Sequence, residues 1–143
     1  MHAIVIYESL TGNTRKAADL IAAELIAAGH HVAVCPTFDI DYQELHEADV
    51  VVVGGWTDGL FFVAQRPGRA SRLRKLPPMV GKRAVCFVTY AIDAGKTLDK
   101  LVAIVEGLGA TVEGGMTIRR DKLVEGARDF ADRVIANVLT TAS

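Results

Sequence analysis

The sequence predicts an α/β fold, a doubly wound five-stranded parallel sheet with helices on both faces. Two observations support this prediction. Short apolar runs alternate five times with segments whose apolar residues recur at helical spacing. The runs are apolar throughout, which is typical of parallel strands that are buried on both sides. Right-handed crossovers between five such strands give 2-1-3-4-5 as the common strand order.

The predicted strands are rich in valine, isoleucine and alanine. In chain order they are residues 4–6, 31–35, 48–53, 82–89 and 110–118. The third strand contains a run of four valines, and we expect Gly54 and Gly55 to end it. We expect Gly114 and Gly115 to interrupt the fifth strand, which is the least regular.

Helical spacing of apolar residues and capping signals place the helices between these strands. The predicted helices are residues 15–28, a short turn within 39–47, residues 68–76, residues 94–108 and a last helix from 121 to about 139. Asp41, Asp93 and Asp121 are expected N-caps. Gly29 and Gly109 are expected to end the first and fourth helices.

Length and composition indicate one globular domain over residues 1–143. The formal net charge of −1 gives no indication of a nucleic-acid or membrane partner. The first strand begins at once and the apolar runs are short, so we expect neither a signal peptide nor a membrane span, and a cytoplasmic location. Cys35 and Cys86 lie in apolar runs and are expected to be buried thiols.

Other chemistries find little support in the residue pattern. The histidines, at positions 2, 30, 31 and 46, show no metal-ligand spacing along the chain, and we expect His30 and His31 to lie at the surface. The Gly-x-Ser-x-Gly signature of serine hydrolases is missing from the sequence.

A hydroxyl-rich loop joins the first strand to the first helix. It carries Ser9, Thr11, Asn13 and Thr14 around Gly12. Backbone N–H groups at a helix start lack intrahelical acceptors and lie at the positive end of the helix dipole. Together with the side-chain donors they predict a site for an anion, most simply a phosphate. Ordinary helix capping is the alternative, and it accounts for one or two of these residues.

The same loop carries a family resemblance. Its motif is the run Ser9-Leu10-Thr11-Gly12-Asn13-Thr14. This run resembles the phosphate loop of flavodoxins, Ser/Thr-x-Thr-Gly-Asn-Thr, which follows the first strand and holds the phosphate of FMN. It differs from a Walker A loop, since no Gly-Lys-Ser/Thr follows, and from Gly-x-Gly-x-x-Gly. The resemblance implies FMN as cofactor, with its phosphate held by Ser9, Thr11, Gly12, Asn13 and Thr14, and with Leu10 as a further cofactor-binding residue.

Two further loops are expected at the same sheet edge, because ligands in such sheets bind beyond the carboxyl ends of the strands where the strand order reverses. They follow the third and fourth strands. The resemblance implies that Gly55, Trp56 and Thr57 in one loop, with Tyr90 and Ala91 in the other, border the flavin ring. An indole at this place can stack on a planar ligand, and the alternative is that Trp56 only covers the sheet edge.

Residues 60–67 are predicted to form an aromatic loop. It includes Phe61 and Phe62, which have a weaker claim to contact a ligand. At least one of these two rings is expected to pack into the core.

The chain departs from carrier flavodoxins in its charge. Residues 59–92 contain no acidic residue, and this part of the chain includes a basic stretch, defined as residues 66–83. The basic stretch carries Arg66, Arg69, Arg72, Arg74, Lys75, Lys82 and Arg83. It is interpreted either as a solvated helix face or as a docking patch for an acidic redox partner, NAD(P)H or an anionic substrate.

These observations leave three hypotheses open. The first is an FMN-binding electron-transfer flavoprotein in which the cofactor performs the redox chemistry. The second is an FMN-dependent oxidoreductase of the same fold that acts on NAD(P)H and quinones or resembles protoporphyrinogen oxidase. The third is a binding domain that has kept the fold and lost the flavin.

Overall fold

The structure is a computed structural model that describes residues 1–60 and 63–140. Its elements, in chain order, are β1 (His2–Tyr7), α1 (Asn13–Ala27), β2 (His31–Pro36), α2 (Tyr42–Glu47), β3 (Val50–Leu60), β4 (Val63–Pro67), α3 (Ala70–Arg74), β5 (Arg83–Tyr90), α4 (Thr97–Gly107), β6 (Thr111–Arg119), a 3-10 turn (Arg120–Lys122) and α5 (Leu123–Asn137). The predictions for Phe61 and Phe62 lie outside the described residues.

Five of the strands form a parallel sheet in the order β2-β1-β3-β5-β6. Since β5 and β6 are the fourth and fifth predicted strands, this order is the predicted 2-1-3-4-5, and the α/β fold class is confirmed. The difference is a sixth strand, β4, which pairs with β3 in antiparallel orientation. Among the helices of the described residues, none has the length and hydropathy needed to cross a bilayer.

Side-chain alternation divides the core into two layers, one on each face of the sheet. On one face, Ala3 and Val5 of β1 and Val50 and Val52 of β3 pack with buried residues of α1 and α5. Their chain neighbours pack on the other face with α3 and α4, namely Ile4, Ile6, Val51 and Val53. These segments of β1 and β3 are therefore buried on both faces of the sheet, which explains why their sequences are continuously apolar.

The prediction that Gly54 and Gly55 end the third strand is wrong, because β3 continues through them to Leu60. An ideal Cβ at Gly54 would lie 2.1 Å from Cζ of Phe87 on β5. Phe87 in turn makes an edge-on contact with Phe130 of α5, with ring centroids 5.7 Å apart. Gly54 thus makes room for a core ring, and residues 60–67 are not only a loop, since β4 occupies part of them.

Of the three predicted N-caps, the structure bears out one. Asp41 Oδ1 accepts a hydrogen bond from Glu44 N at 3.1 Å and caps α2. Asp93 instead accepts from Gly95 N at 3.2 Å, and α4 begins only at Thr97. Asp121 lies in the 3-10 turn before α5. At Asp93 the local hydrogen bond with Gly95 N replaces a capping bond, and spacing along the sequence does not distinguish the two.

Other boundaries moved by a few residues. α1 begins two residues before the predicted start, and α3 is shorter than the predicted helix over residues 68–76. β6 runs without a break through Gly114 and Gly115, and the irregularity there is a shift in pairing register opposite Ala84 and Val85 of β5. Gly29 and Gly109 follow their helices with φ of +96° and +103°, as expected of C-terminal glycines.

Replacing Gly54 with alanine is expected to lower the free energy of unfolding by about 1–3 kcal/mol, because the new methyl group overlaps the Phe87 ring. Gly107 is the matched control. A Cβ there meets nothing within 4 Å, so Gly107→Ala should leave stability unchanged or raise it by up to about 1 kcal/mol. Urea denaturation of both variants measures the difference, and equal stability of the two would contradict this packing.

Candidate functional site

A cavity of about 200 Å³ opens at the carboxyl ends of the central strands. Its lining residues come from the first loop, from the ends of β3 and β5, and from the 3-10 turn after β6. They are Leu10, Thr11, Asn13, Thr14, Trp56, Thr57, Thr89, Tyr90, Ala91 and Arg120. The structure therefore brings together all the predicted site residues except Ser9, Gly12 and Gly55, which do not line this cavity.

The first loop closes on itself by two hydrogen bonds. Gly12 N donates to Ser9 Oγ at 3.1 Å, and Asn13 Nδ2 donates to Thr11 Oγ1 at 3.3 Å. Gly12 has a φ of +95°, a conformation that favours glycine, although a Cβ there would meet nothing within 4 Å. Ser9 and Gly12 therefore shape the loop from within, while Thr11 and Asn13 face the cavity.

The start of α1 has no side-chain cap. The first intrahelical acceptor in this turn is the Gly12 carbonyl, which binds Lys16 N at 2.9 Å. The N–H groups of Asn13, Thr14 and Arg15 precede it and have no helical acceptor. A cavity lined by Asn13 and Thr14 thus adjoins uncapped donors at the positive end of the helix dipole.

Two buried threonines join the first loop to β5. Thr14 Oγ1 lies 2.8 Å from Thr89 Oγ1, and both residues are almost fully buried. A hydroxyl donates one hydrogen, so this bond uses one of the two hydroxyl protons and leaves the other for a ligand. Residue patterns alone missed Thr89, because it reads as an ordinary strand residue.

Trp56 lines the same cavity from β3, and we call this cavity at the carboxyl edge of the sheet the mouth. An ideal Cβ at Gly68 would lie 1.9 Å from Cε2 of Trp56, so the indole rests on the bare backbone of Gly68. Trp56 Nε1 and Thr57 Oγ1 are buried and, within the described residues, have no hydrogen-bond partner. Gly55 faces the core instead, where a Cβ would contact Leu73 at 3.8 Å.

A second cavity of about 240 Å³ adjoins the first and is also lined by Thr57 and Ala91. Its other lining residues are Gly59, Gln65, Ile92 and Asp93. Each cavity alone is smaller than the roughly 300–1,000 Å³ typical of a cofactor site, but the two adjoin through Thr57 and Ala91.

Comparison with known proteins agrees with this architecture. A family model for the flavodoxin domain matches residues 4–98. The chain belongs to the flavodoxin family. The resemblance predicted from the first loop is thereby confirmed.

Relatives of this flavodoxin-family chain match it over nearly its full length. A flavodoxin from Clostridium beijerinckii is 26% identical over 136 residues, which cover 94% of this chain and 99% of that protein. Oxidised flavodoxin 2 from Bacillus cereus is similar in structure, with a TM-score of 0.73 and 24% identity over 95% of this chain and 99% of that one. Two-electron reduced flavodoxin from Megasphaera elsdenii has a TM-score of 0.70 and 24% identity, covering 91% and 98% respectively.

In this flavodoxin domain a buried carboxylate lies directly before the first loop. Glu8 is only 2% exposed. Its Oε1 accepts a hydrogen bond from Thr37 Oγ1 at 2.8 Å and lies 3.3 Å from Nη1 of Arg72, while Oε2 lies 3.4 Å from Nη1 of Arg69. Both arginines belong to the basic stretch. Arg69 has a φ of +50°, a strained value for a residue with a side chain, at the start of α3.

The rest of the basic stretch is also largely engaged. Arg66 lies 3.4 Å from Asp58, and Arg83 pairs with Glu113, whose hydrogen bond raises the pKa of Arg83. Lys82 Nζ donates to two backbone carbonyls near the end of α2. Most cations of the stretch therefore hold neighbouring elements together. Only Arg74 and Lys75 have no polar partner among the described residues.

A groove of about 800 Å³ runs between the β3–β4 hairpin, α3 and α4. Its cationic walls are Arg66, Arg69, Arg74 and Lys100, and Asp58 is its one acidic lining residue. Apolar residues complete it, namely Pro67, Ala70, Ala103, Ile104 and Leu108. Alternate residues of the hairpin line this groove and the second cavity, so the hairpin forms a wall between them.

The two cysteines do not contribute a nucleophile. Cys35 and Cys86 are buried free thiols, as the sequence predicts. Burial raises the pKa of Cys35, and it raises the pKa of Cys86 to about 12. Both thiols therefore stay protonated at neutral pH, where a protonated thiol is a poor nucleophile.

Glu8→Gln is expected to lower the free energy of unfolding by about 1–3 kcal/mol, because a buried amide cannot neutralise Arg69 and Arg72. Asp129→Asn is the control. It breaks an exposed pair with Arg133, whose side chains are 48% and 66% exposed, and should cost less than about 0.5 kcal/mol. Denaturant titration separates the two effects, and a loss at Glu8 no larger than at Asp129 would refute the role given to this carboxylate.

Proposed function

We propose that residues 1–143 form a single flavodoxin domain that binds FMN at the carboxyl edge of the sheet and transfers electrons one or two at a time. The single observation that carries this proposal is the start of α1, which has no side-chain cap, beside a cavity that Trp56 also lines. An anion-binding end and an aromatic end in one mouth suit a ligand with a phosphate tail and a planar head.

The phosphate end fits a dianion. Ser9, Leu10, Thr11, Gly12, Asn13 and Thr14 are the proposed phosphate loop. Uncapped backbone N–H groups, a spare hydroxyl proton of the Thr14–Thr89 pair and the guanidinium of Arg120 supply donors there. Hydrogen bonds to a charged acceptor are stronger than neutral ones, which favours a phosphate over a neutral ligand.

The ring end fits a planar polar molecule. Gly55, Trp56 and Thr57 on β3, with Tyr90 and Ala91 after β5, are the proposed ring contacts. Trp56 Nε1 and Thr57 Oγ1 are buried without partners among the described residues, and such atoms cost about 1–3 kcal/mol each until something binds them. A ligand whose carbonyl or ring-nitrogen acceptors reached these two atoms would relieve that cost.

Bound FMN would supply the redox chemistry, while the protein binds, orients and shields it. No acid, base or nucleophile is required of the chain, and the protonated thiols of Cys35 and Cys86 are consistent with that. Free buried thiols also suit the reducing cytoplasm, which is the location we propose.

Replacing Thr11 and Asn13 with alanine is expected to weaken FMN binding about tenfold for each residue and to leave riboflavin binding unchanged. Riboflavin lacks the phosphate, so only FMN loses a contact. Fluorescence titration of the apoprotein with both flavins measures the two affinities. Thr111→Ala, at the opposite edge of the sheet, is the control and should change neither.

Two results would overturn the proposal in different ways. Equal weakening of FMN and riboflavin in the loop variants would remove the phosphate role. A purified protein that is colourless and takes up no added FMN would favour the third hypothesis, a flavin-less binding domain.

The cationic groove favours a second candidate function, an FMN-dependent oxidoreductase that takes electrons from NAD(P)H and passes them to a quinone. The groove combines four cations with apolar lining residues, which suits a phosphorylated molecule that also carries aromatic rings. Because the β3–β4 hairpin lies between the groove and the proposed flavin site, the phosphates would bind in the groove and the nicotinamide would extend past the hairpin to the flavin. Arg74 lines the groove, and among residues 1–60 and 63–140 its guanidinium has no polar partner, so it can bind an anion.

If the groove holds NADPH, Arg74→Ala should raise the KM for NADPH at least fivefold and change kcat little, since the contact is far from any reacting atom. Lys75→Ala is the matched control, because Lys75 is the adjacent exposed cation and does not line the groove. Steady-state NADPH–quinone assays of the FMN-loaded protein decide the matter. Absence of turnover, or the same KM for NADPH in both variants, would rule out the oxidoreductase function and leave electron transfer as the remaining proposal.

A further inference from the structure

Three side chains with metal-ligand chemistry meet at the amino edge of the sheet, opposite the flavin mouth. They are His2 on β1, His31 on β2 and Glu44 on α2, and their ligand atoms all lie within 4.8 Å of one another. We propose that this cluster binds a divalent transition-metal ion, with Zn²⁺ as the best match. The inference is independent of the proposed flavin site.

Sheet register brings the two histidines together. His2 and His31 are direct partners in the parallel pairing of β1 with β2. Paired residues on neighbouring strands point to the same face, and here the two ring centroids are 4.6 Å apart with an interplanar angle of 40°. The chain separates them by almost thirty residues, so spacing along the sequence gave no metal signature.

The carboxylate is positioned by the start of α2. Asp41 caps this helix through Glu44 N at 3.1 Å, which fixes where the Glu44 side chain emerges. Both Glu44 oxygens then lie close to Nε2 of His31, at 3.1 and 3.2 Å. Glu44 is only partly exposed, with 24% of its side-chain surface accessible.

These distances suit a shared ion. Tetrahedral Zn²⁺ with ligands at about 2.0–2.2 Å sets neighbouring ligand atoms about 3.4 Å apart, close to the separation of His31 and Glu44. All the ligand atoms lie within 4.8 Å of one another, and His2 is exposed, so its ring has room to turn towards the other two ligands. Without an ion the His31–Glu44 contact is an ordinary hydrogen bond, and that is the alternative that the experiment tests.

The donor set selects the class of metal. Two imidazole nitrogens and one carboxylate are the ligands of many zinc sites, and imidazole also suits Cu²⁺ and Ni²⁺. Mg²⁺ and Ca²⁺ prefer oxygen ligands throughout and are disfavoured here. A further carboxylate, Asp49, accepts a hydrogen bond from His2 N at 2.8 Å and adds negative charge beside the cluster.

Binding would tie β1, β2 and α2 together at one edge. β1 spans six residues between this edge and the flavin mouth, which corresponds to about 17–20 Å. At that distance the ion acts on the stability of the fold, since a ligand that binds only the folded state raises the melting temperature.

The test is isothermal titration of the untagged, purified protein with ZnCl₂ in a non-chelating buffer. We expect one Zn²⁺ per chain and a rise in Tm on adding Zn²⁺. His2→Ala, His31→Ala and Glu44→Gln should each weaken binding at least tenfold. His46→Ala is the matched control, since this histidine lies on α2 outside the cluster, and it should bind Zn²⁺ as the parent protein does.

A second measurement identifies the ligands directly. Electron paramagnetic resonance of the Cu²⁺-loaded protein should show nitrogen hyperfine coupling from two imidazoles, reduced to one in either histidine variant. If a histidine variant fails to fold by circular dichroism, Glu44→Gln decides alone, since it keeps the size of the side chain. Absence of saturable Zn²⁺ binding, or equal affinity in the cluster variants and in His46→Ala, would overturn the site.

Discussion

Burial of residues 3–6 of β1 and 50–55 of β3 on both faces of the sheet is the constraint on which the rest of the structure depends. Side chains such as Ile4, Val5, Val51 and Val52 are entirely inaccessible and pack alternately into the two core layers. Strand segments filled in this way leave no place for polar groups along their length. Ligand chemistry is therefore displaced to the strand ends, where helices start with unpaired donors and loops can vary.

Most charged side chains of the basic stretch form ion pairs or hydrogen bonds within the fold, and few are left to bind a partner. Glu8 is buried beside the first loop and is neutralised by Arg69 and Arg72, so α3 is tied to the first loop at the carboxyl edge of the sheet. The run of cations that looks like a docking patch in the sequence is mostly engaged in such contacts. What remains unpaired, chiefly Arg74, faces a groove on the far side of the β3–β4 hairpin.

Glycines illustrate how one residue type carries different constraints. Gly12 is required for its left-handed backbone, whereas Gly54 and Gly68 make room for the rings of Phe87 and Trp56. In the sequence all of them look like turn residues. The hairpin formed by β3 and β4 depends on this difference, because the strand passes through Gly54 and Gly55 instead of ending there. Its length in turn adds a second cavity beside the first and separates that second cavity from the cationic groove.

The sequence by itself determined the α/β class, the strand order, the family and the loop from Ser9 to Thr14. These depend on local hydrophobic periodicity and on a short contiguous motif, which a single chain displays directly. Only the tertiary structure decided the extent of β3, the addition of Thr89 and Arg120 to the mouth, the pairing of Glu8, and the meeting of His2 with His31. Each of these results from contacts between residues far apart in the chain, and such contacts are set by strand register and side-chain packing, which spacing along the sequence does not encode.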